Sequence, residues 1–270
     1  MLIPLARPRV AAVSYLNTVP LVWGLEHGPQ RGAFDMQYCV PSECADRMRR
    51  GEADLGLIPV IEMARQGFQY CHGTGIACDG DVRSILLISK VPPSQIRTLA
   101  ADSGSRTSVM LARIILDSVF GAQPLITVAE PLLEVMLRSS DAALVIGDPA
   151  LHIEPGELPY QVLDLGAEWK RFTGLPMVFA MWSGAARHTS EANSRVFADS
   201  LHFGMSEIDR IVATESIKRA LPPETIRTYL TRHIRFELGE NEYEGLRTYL
   251  QHAARLEPTL LLRDALTVTP

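Results

Sequence analysis

The sequence predicts an α/β protein of two lobes, with a central ligand cleft and C-terminal helices. Three observations carry this expectation. Short apolar runs alternate with segments of helical period over the first two thirds of the 270 residues, the pattern of parallel sheets flanked by helices. The punctuation at Lys90-Val91-Pro92-Pro93-Ser94 is strong enough to mark a crossing between units. From about His188 to Arg255 the chain reads as helices only.

The first strand is Val10-Ala11-Ala12-Val13, small and β-branched, and Pro20 with Leu21, Val22 and Leu25 opens a helix behind it. Phe34 to Val40 reads as a strand, and Ser42 as the cap of a helix running through Arg50 to a stop at Gly51. Leu55-Gly56-Leu57-Ile58 and Val82 to Ser89 are buried strands. The second unit begins at Arg97 to Ala101, with its helix after Ser105 and further strands at Leu125–Val128, Ala142–Ile146, Tyr160–Leu163 and Pro176–Trp182. A return near Ser183-Gly184 assigns 1–89 plus 184–270 to one lobe and 90–183 to the other.

Composition narrows the class of function. With 47% hydrophobic residues the chain can bury one large core or two modest ones. Its net charge of −5 offers no basic field for nucleic acid. No apolar run approaches the ~20 residues that cross a bilayer, and Val10–Val13 is too short for the core of an export signal. A cytoplasmic protein is expected. Cys39, Cys44, Cys71 and Cys78 lack the paired spacing of a zinc site and read as reduced, buried thiols. The seven histidines are scattered, and no phosphate loop, zinc helix or nucleophile elbow occurs. What remains is a reaction without cofactor or metal on a small anion.

Four places can hold that anion. Ser14, Tyr15, Asn17 and Thr18 set two hydroxyls, a phenol and a carboxamide where a strand gives way to a helix, the usual ligand position of an open α/β sheet. A helix cap needs only one of them. Asp102-Ser103-Gly104-Ser105-Arg106-Thr107-Ser108 places hydroxyls and a cation at a helix start, where free N–H groups and the dipole favour a carboxylate. Arg83 and Ser84 interrupt an otherwise apolar strand, so Ser84 is expected to line the cleft and Arg83 either to bind ligand or to form an ion pair. Gly147 and Asp148 follow the strand Ala142–Ile146, although Pro149 also suits Asp148 to a helix cap.

The chain also resembles a known family. Ser14-Tyr15-Leu16-Asn17-Thr18 is similar to the opening signature of the chorismate dehydratases that begin the futalosine route to menaquinone. Pro41 to Asp46, Gly51 to Pro59, Val82 to Leu87, Ser105 to Ser108, Ile146 to Ala150 and Glu168 to Arg171 fit in order, as far as about Trp182. The resemblance implies a two-lobed periplasmic-binding-protein-like (type II) fold and a cleft that binds chorismate, a dicarboxylate. It also implies loss of water to give 3-[(1-carboxyvinyl)oxy]benzoate, with Ser14, Tyr15, Thr18, Ser42, Arg83, Ser84, Ser105, Arg106, Thr107, Ser108 and Gly147 around the substrate. Asn17, with no useful pKa, polarises the departing hydroxyl or stabilises charge on the ring.

The base is either Asp148 or a carboxylate of the substrate, and the second is favoured because the matched blocks supply no obvious His or Glu. The expected partner is this small dicarboxylate, with neither nucleic acid nor membrane, in a monomer or homodimer. Three alternatives share the architecture. The later dihydroxynaphthoate-forming enzyme of the same route opens on a Pro-Asn-Asp-Thr type of motif, a solute-binding protein carries an export signal, and a ligand-sensing regulator carries a DNA-binding helix-turn-helix ahead of the first strand.

Overall fold

The computed structural model describes residues 7–102, 104 and 106–260. Ser105, expected in the anion site, and Ser103 lie outside the described residues. The chain begins with β1 (Arg9–Val13), α1 (Val19–His27), β2 (Asp35–Cys39), α2 (Pro41–Arg49), β3 (Leu55–Pro59), α3 (Val60–Gln66) and β4 (Gln69–Cys78). It continues through β5 (Ile85–Ser89), β6 (Thr98–Asp102), α4 (Arg106–Phe120), β7 (Leu125–Ala129), α5 (Leu133–Ser139), β8 (Ala142–Ile146), α6 (Asp148–Leu151), β9 (Gln161–Asp164) and α7 (Leu165–Thr173). It closes with β10 (Met177–Gly184), α8 (Glu191–Ser206), α9 (Ile208–Arg219), α10 (Pro223–Thr228), β11 (Arg235–Glu237) and α11 (Glu240–Leu256).

Among the described residues the strands form two sheets, ordered β11-β4-β10-β3-β1-β2 and β7-β6-β8-β5-β9. The continuous apolar runs form their interior strands: every residue of β3, β5, β8 and β10 is buried, as expected of strands covered on both faces. A single apolar cluster runs through both lobes, and a smaller one, including Leu86, Ile88 and Val145, lies in the second lobe. The first sheet is braced by Trp182, stacked at 4.1 Å on Phe197 of α8.

The lobe boundaries differ from the expected ones. β5 pairs with β8 and β9 in the second sheet, so the chain crosses at 79–84, ahead of the proline-rich segment. That segment is a connection inside the second lobe, its 3-10 turn Pro93–Gln95 leading into β6. Prolines mark a turn without saying which sheet follows. Likewise β10 pairs with β3 and β4, so the return comes at 174–176 rather than at Gly184.

The sheets are also mixed. β1 runs parallel to β2 and β3, and β6 to β7 and β8, but β10 is antiparallel to both neighbours, as is β5. The tail contains β11 as well as helices, and β4 was hidden by polar Gln69, His72 and Thr74 and two glycines. No helix among the described residues is long and apolar enough to cross a membrane.

Candidate active site

Residues of both lobes line a partly open cavity between them, the kind of concave interlobe position where small ligands bind. Val13, Tyr15, Asn17, Pro41, Ile76 and Phe179 line it from the first lobe. Ser84, Ile85, Gly104, Arg106, Thr107, Ser108, Ile146 and Gly147 line it from the second. The walls are apolar and the polar groups few, so each polar group has strong orienting influence in a medium of low dielectric.

The segment after β1 divides between two faces. Residues Leu16–Thr18 form a 3-10 turn, and no side chain caps either that turn or α1. Tyr15 and Asn17 face the cavity. Ser14 is exposed, and it and buried Thr18 border a separate surface groove on the other side of Tyr15. Asn17 Nδ2 donates to the Tyr229 hydroxyl at 3.2 Å, while its Oδ1 is buried without a partner among the described residues. Burial, assisted by the charge of Asp102, pushes the Tyr15 phenol up to about 12, so it stays protonated at neutral pH.

Helix α4 points its first turn at the cavity. Thr107 is buried and lines the cavity, and its Oγ1 donates to the Phe179 carbonyl at 3.1 Å. Ser108, also buried, lines the cavity beside it. Arg106 does not stand as a free cation. Its guanidinium spans the lobes, donating to Glu62 Oε2 of α3 at 2.9 Å and to both oxygens of Asp46 in α2 at 2.9 and 3.1 Å. Burial acts to raise the Glu62 carboxyl, but Arg65 and Arg106 outweigh it and hold the group below its ordinary range.

The next pair splits in the same way. Ser84, 1% exposed, lines the cavity and accepts a 2.8 Å bond from Tyr229. Arg83 turns away: it takes a left-handed conformation (φ 62°), its amide donates to Asp164, and its guanidinium caps the Ala150 and Ile153 carbonyls and meets Glu154. It therefore does not line the cavity, and its role is the ion pair and not the ligand contact. Ser42 neither caps nor lines. Pro41 takes the first helical position, Val40 is the N-cap, and Pro41 itself reaches the cavity.

Gly147 (φ 64°, ψ −145°) ends β8 in a conformation that only glycine adopts freely. A Cβ there would lie 2.7 Å from the Tyr15 ring, which packs across the lobes against this backbone. Asp148 is not a free carboxylate. One oxygen accepts from the Leu16 amide at 2.9 Å and the other is paired with Arg219 of α9, which also holds Glu215 and the Ser14 carbonyl. It ties the lobes together and does not line the cavity.

Sequence reasoning missed Tyr229, in the helical tail with no motif around it, and the distant carboxylates Asp46 and Glu62 that neutralise Arg106. It also passed over Asp102, a buried carboxyl raised by desolvation against the 2.8 Å bond it accepts from the Gly104 amide. Among the described residues no cluster of three or more His, Cys, Asp or Glu could hold a metal ion.

A family model described as menaquinone biosynthesis matches residues 8–255. The chain belongs to the menaquinone biosynthesis family. A curated relative, the chorismate dehydratase of Campylobacter jejuni subsp. jejuni serotype O:23/36 (strain 81-176), is 27% identical over 175 residues, 63% of this chain. The match spans 65% of that relative's length. Among solved structures, a protein of Archaeoglobus fulgidus superposes with a TM-score of 0.74 at 14% identity, covering 95% of this chain and 99% of the other. The periplasmic aliphatic sulphonate binding protein of Escherichia coli does so with a TM-score of 0.66 at 14% identity, covering 99% and 93%. This member of the menaquinone biosynthesis family therefore has the two-lobed periplasmic-binding-protein fold.

Proposed function

We propose that this protein is a chorismate dehydratase, converting chorismate to 3-[(1-carboxyvinyl)oxy]benzoate and water in the futalosine route to menaquinone. The observation that carries the reading is the interlobe cavity. It sets Asn17 and Ser84 beside the first turn of α4, and the described residues that line it include no carboxylate, histidine or thiol. Family membership and the dehydratase relative support it.

The chemistry requires little of the protein beyond placement. A proton leaves the ring carbon that bears the enolpyruvyl ether, its electron pair forms the new ring double bond, and the neighbouring hydroxyl departs with a proton as water. Aromatisation drives the step, so orientation supplies the acceleration. Backbone N–H groups of the first turn of α4 and the Ser108 hydroxyl receive one carboxylate, where the helix dipole favours negative charge. Arg106, already paired with Asp46 and Glu62, holds the lobes together at the cavity's edge and supplies only the residue of its field.

Ile76, Ile85, Ile146 and Phe179 give the ring an apolar seat. Asn17 and Ser84 donate toward the departing hydroxyl. The base is a carboxylate of the substrate. Tyr15 is held protonated at neutral pH, and Asp148 is committed to Leu16 and Arg219.

Turnover of chorismate by wild type and by Asn17→Asp tests the assignment. The variant keeps the size of the side chain but replaces a donor with a negative charge. Its kcat falls at least ~10²-fold, the scale of a lost oxyanion donor, with the fold retained by circular dichroism. A folded Asn17→Asp protein of nearly full activity would remove Asn17 from the chemistry.

A further inference from the structure

Tyr229 comes to the cavity from the far end of the chain. It opens the π-helical turn Tyr229–His233 that follows α10, a rare form of backbone that recurs at functional sites. The residue is 1% exposed, and its hydroxyl meets two side chains, Asn17 at 3.2 Å and Ser84 at 2.8 Å. These are the two polar side chains to which the reading above gives the departing hydroxyl. Tyr229 itself does not line the cavity.

The direction of the bonds follows from donor chemistry. An amide nitrogen can only donate, so Asn17 Nδ2 gives a proton to the phenol oxygen. A buried phenol must place its own proton, and the Ser84 Oγ accepts it. Ser84 is thereby cast as an acceptor on its Tyr229 side, and its own proton is left over. Among the described residues no hydrogen bond takes that proton, while Ser84 lines the cavity. The outcome is an ordered run from the Asn17 amide through the Tyr229 and Ser84 hydroxyls to whatever oxygen enters the cavity, each donor polarised by the one behind it. Burial raises the Tyr229 pKa, which keeps the phenol neutral and its proton available.

We propose that Tyr229 is a positioning residue for the dehydration: its hydroxyl fixes the plane of the Asn17 carboxamide and turns the Ser84 proton toward the departing hydroxyl of the substrate. The proposal rests on the dehydratase reading. Its content is separable from that reading, because it assigns Tyr229 an effect on orientation and none on ligand contact. Removing only the oxygen frees both neighbours to rotate while the ring still fills its place.

Tyr229→Phe is the test, measured alone and together with Ser84→Ala. In the wild-type background kcat for chorismate falls roughly tenfold, the scale of one hydrogen bond lost in an enclosed site. KM stays within about threefold, as for an interaction expressed in the transition state. In the Ser84→Ala background the same change costs clearly less than in the wild type, since the proton it would have oriented is gone and only the Asn17 carboxamide is left to be freed.

A Tyr229→Phe enzyme as active as wild type would overturn the proposal. So would losses from the two substitutions that multiply in the double variant, which describe a merely structural tyrosine. Wild-type activity separates the two claims. Were wild type to leave chorismate unchanged, the dehydratase reading would fail, and the orienting bond would be judged on the NMR signal of the Asn17 side-chain amide. A shift of that signal in Tyr229→Phe supports the bond, and an unmoved signal rejects it.

Discussion

Gly147→Ala tests how the lobes meet. Two separate costs arise at this position. The backbone sits at φ 64°, ψ −145°, where a residue with a Cβ is strained by about 1–3 kcal/mol. The new methyl would also stand 2.7 Å from two carbons of the Tyr15 ring, and relief of such overpacking costs typically 1–3 kcal/mol more.

The first cost falls on the fold and lowers Tm by several degrees, at about 2–4 °C per kcal/mol in a chain of this size. The second falls on closure, because Tyr15 and Gly147 belong to different lobes. It raises KM for chorismate by about 5- to 150-fold. Calorimetry and steady-state kinetics read the two separately. In a Tyr15→Ala background the ring is absent, so Gly147→Ala still lowers Tm but no longer raises KM. A Gly147→Ala enzyme with wild-type Tm and KM would refute the contact and the reasoning built on it.

Two further outcomes concern pH. With the base on the substrate and Tyr15 held at about 12, kcat is flat between about pH 6 and 9; an activity that climbs with a single ionisation through this range would point instead to a base on the protein. Asp54 is held down to about 2 by its hydrogen bonds from Arg9, below the ~3.9 of an unfolded chain. Its contribution is therefore present above about pH 4 and is lost as pH falls toward 2. The Tm gap between wild type and Asp54→Asn is constant from neutrality to about pH 5 and closes by pH 2, and a gap of the same size at both ends would show that the ion pair plays no part.

The elements were legible wherever hydrophobic period alone decides them. β3 and β8 are continuous apolar runs and are buried throughout. The strand-to-helix junction at Ser14–Thr18 and the helix start at Arg106 were legible as well, because glycine, hydroxyl and amide residues at such points have few other uses. The choice of sheet was not, since Pro92-Pro93 specify a turn and say nothing about the partner of β5.

The fate of charges was equally hidden. A local sequence shows that Arg106, Arg83 and Asp148 have charge-bearing side chains, but their partners stand 44 to 71 residues away. Burying a charge demands a partner, and each found one outside the ligand space. Tyr229 lies 145 residues from Ser84, in a segment where nothing local distinguishes it from a core tyrosine. Side-chain type was thus readable, and side-chain engagement required the fold.

The central claim concerns one molecule of water. Purified protein is incubated with chorismate, with no nucleotide added, and the products are followed by mass spectrometry. The account predicts that chorismate disappears and that a product lighter by one water, with an aromatic ring and an intact enolpyruvyl ether, takes its place in equal amount. Chorismate recovered unchanged after binding to the protein would contradict it, and would make this fold a receptor for its ligand and not a catalyst.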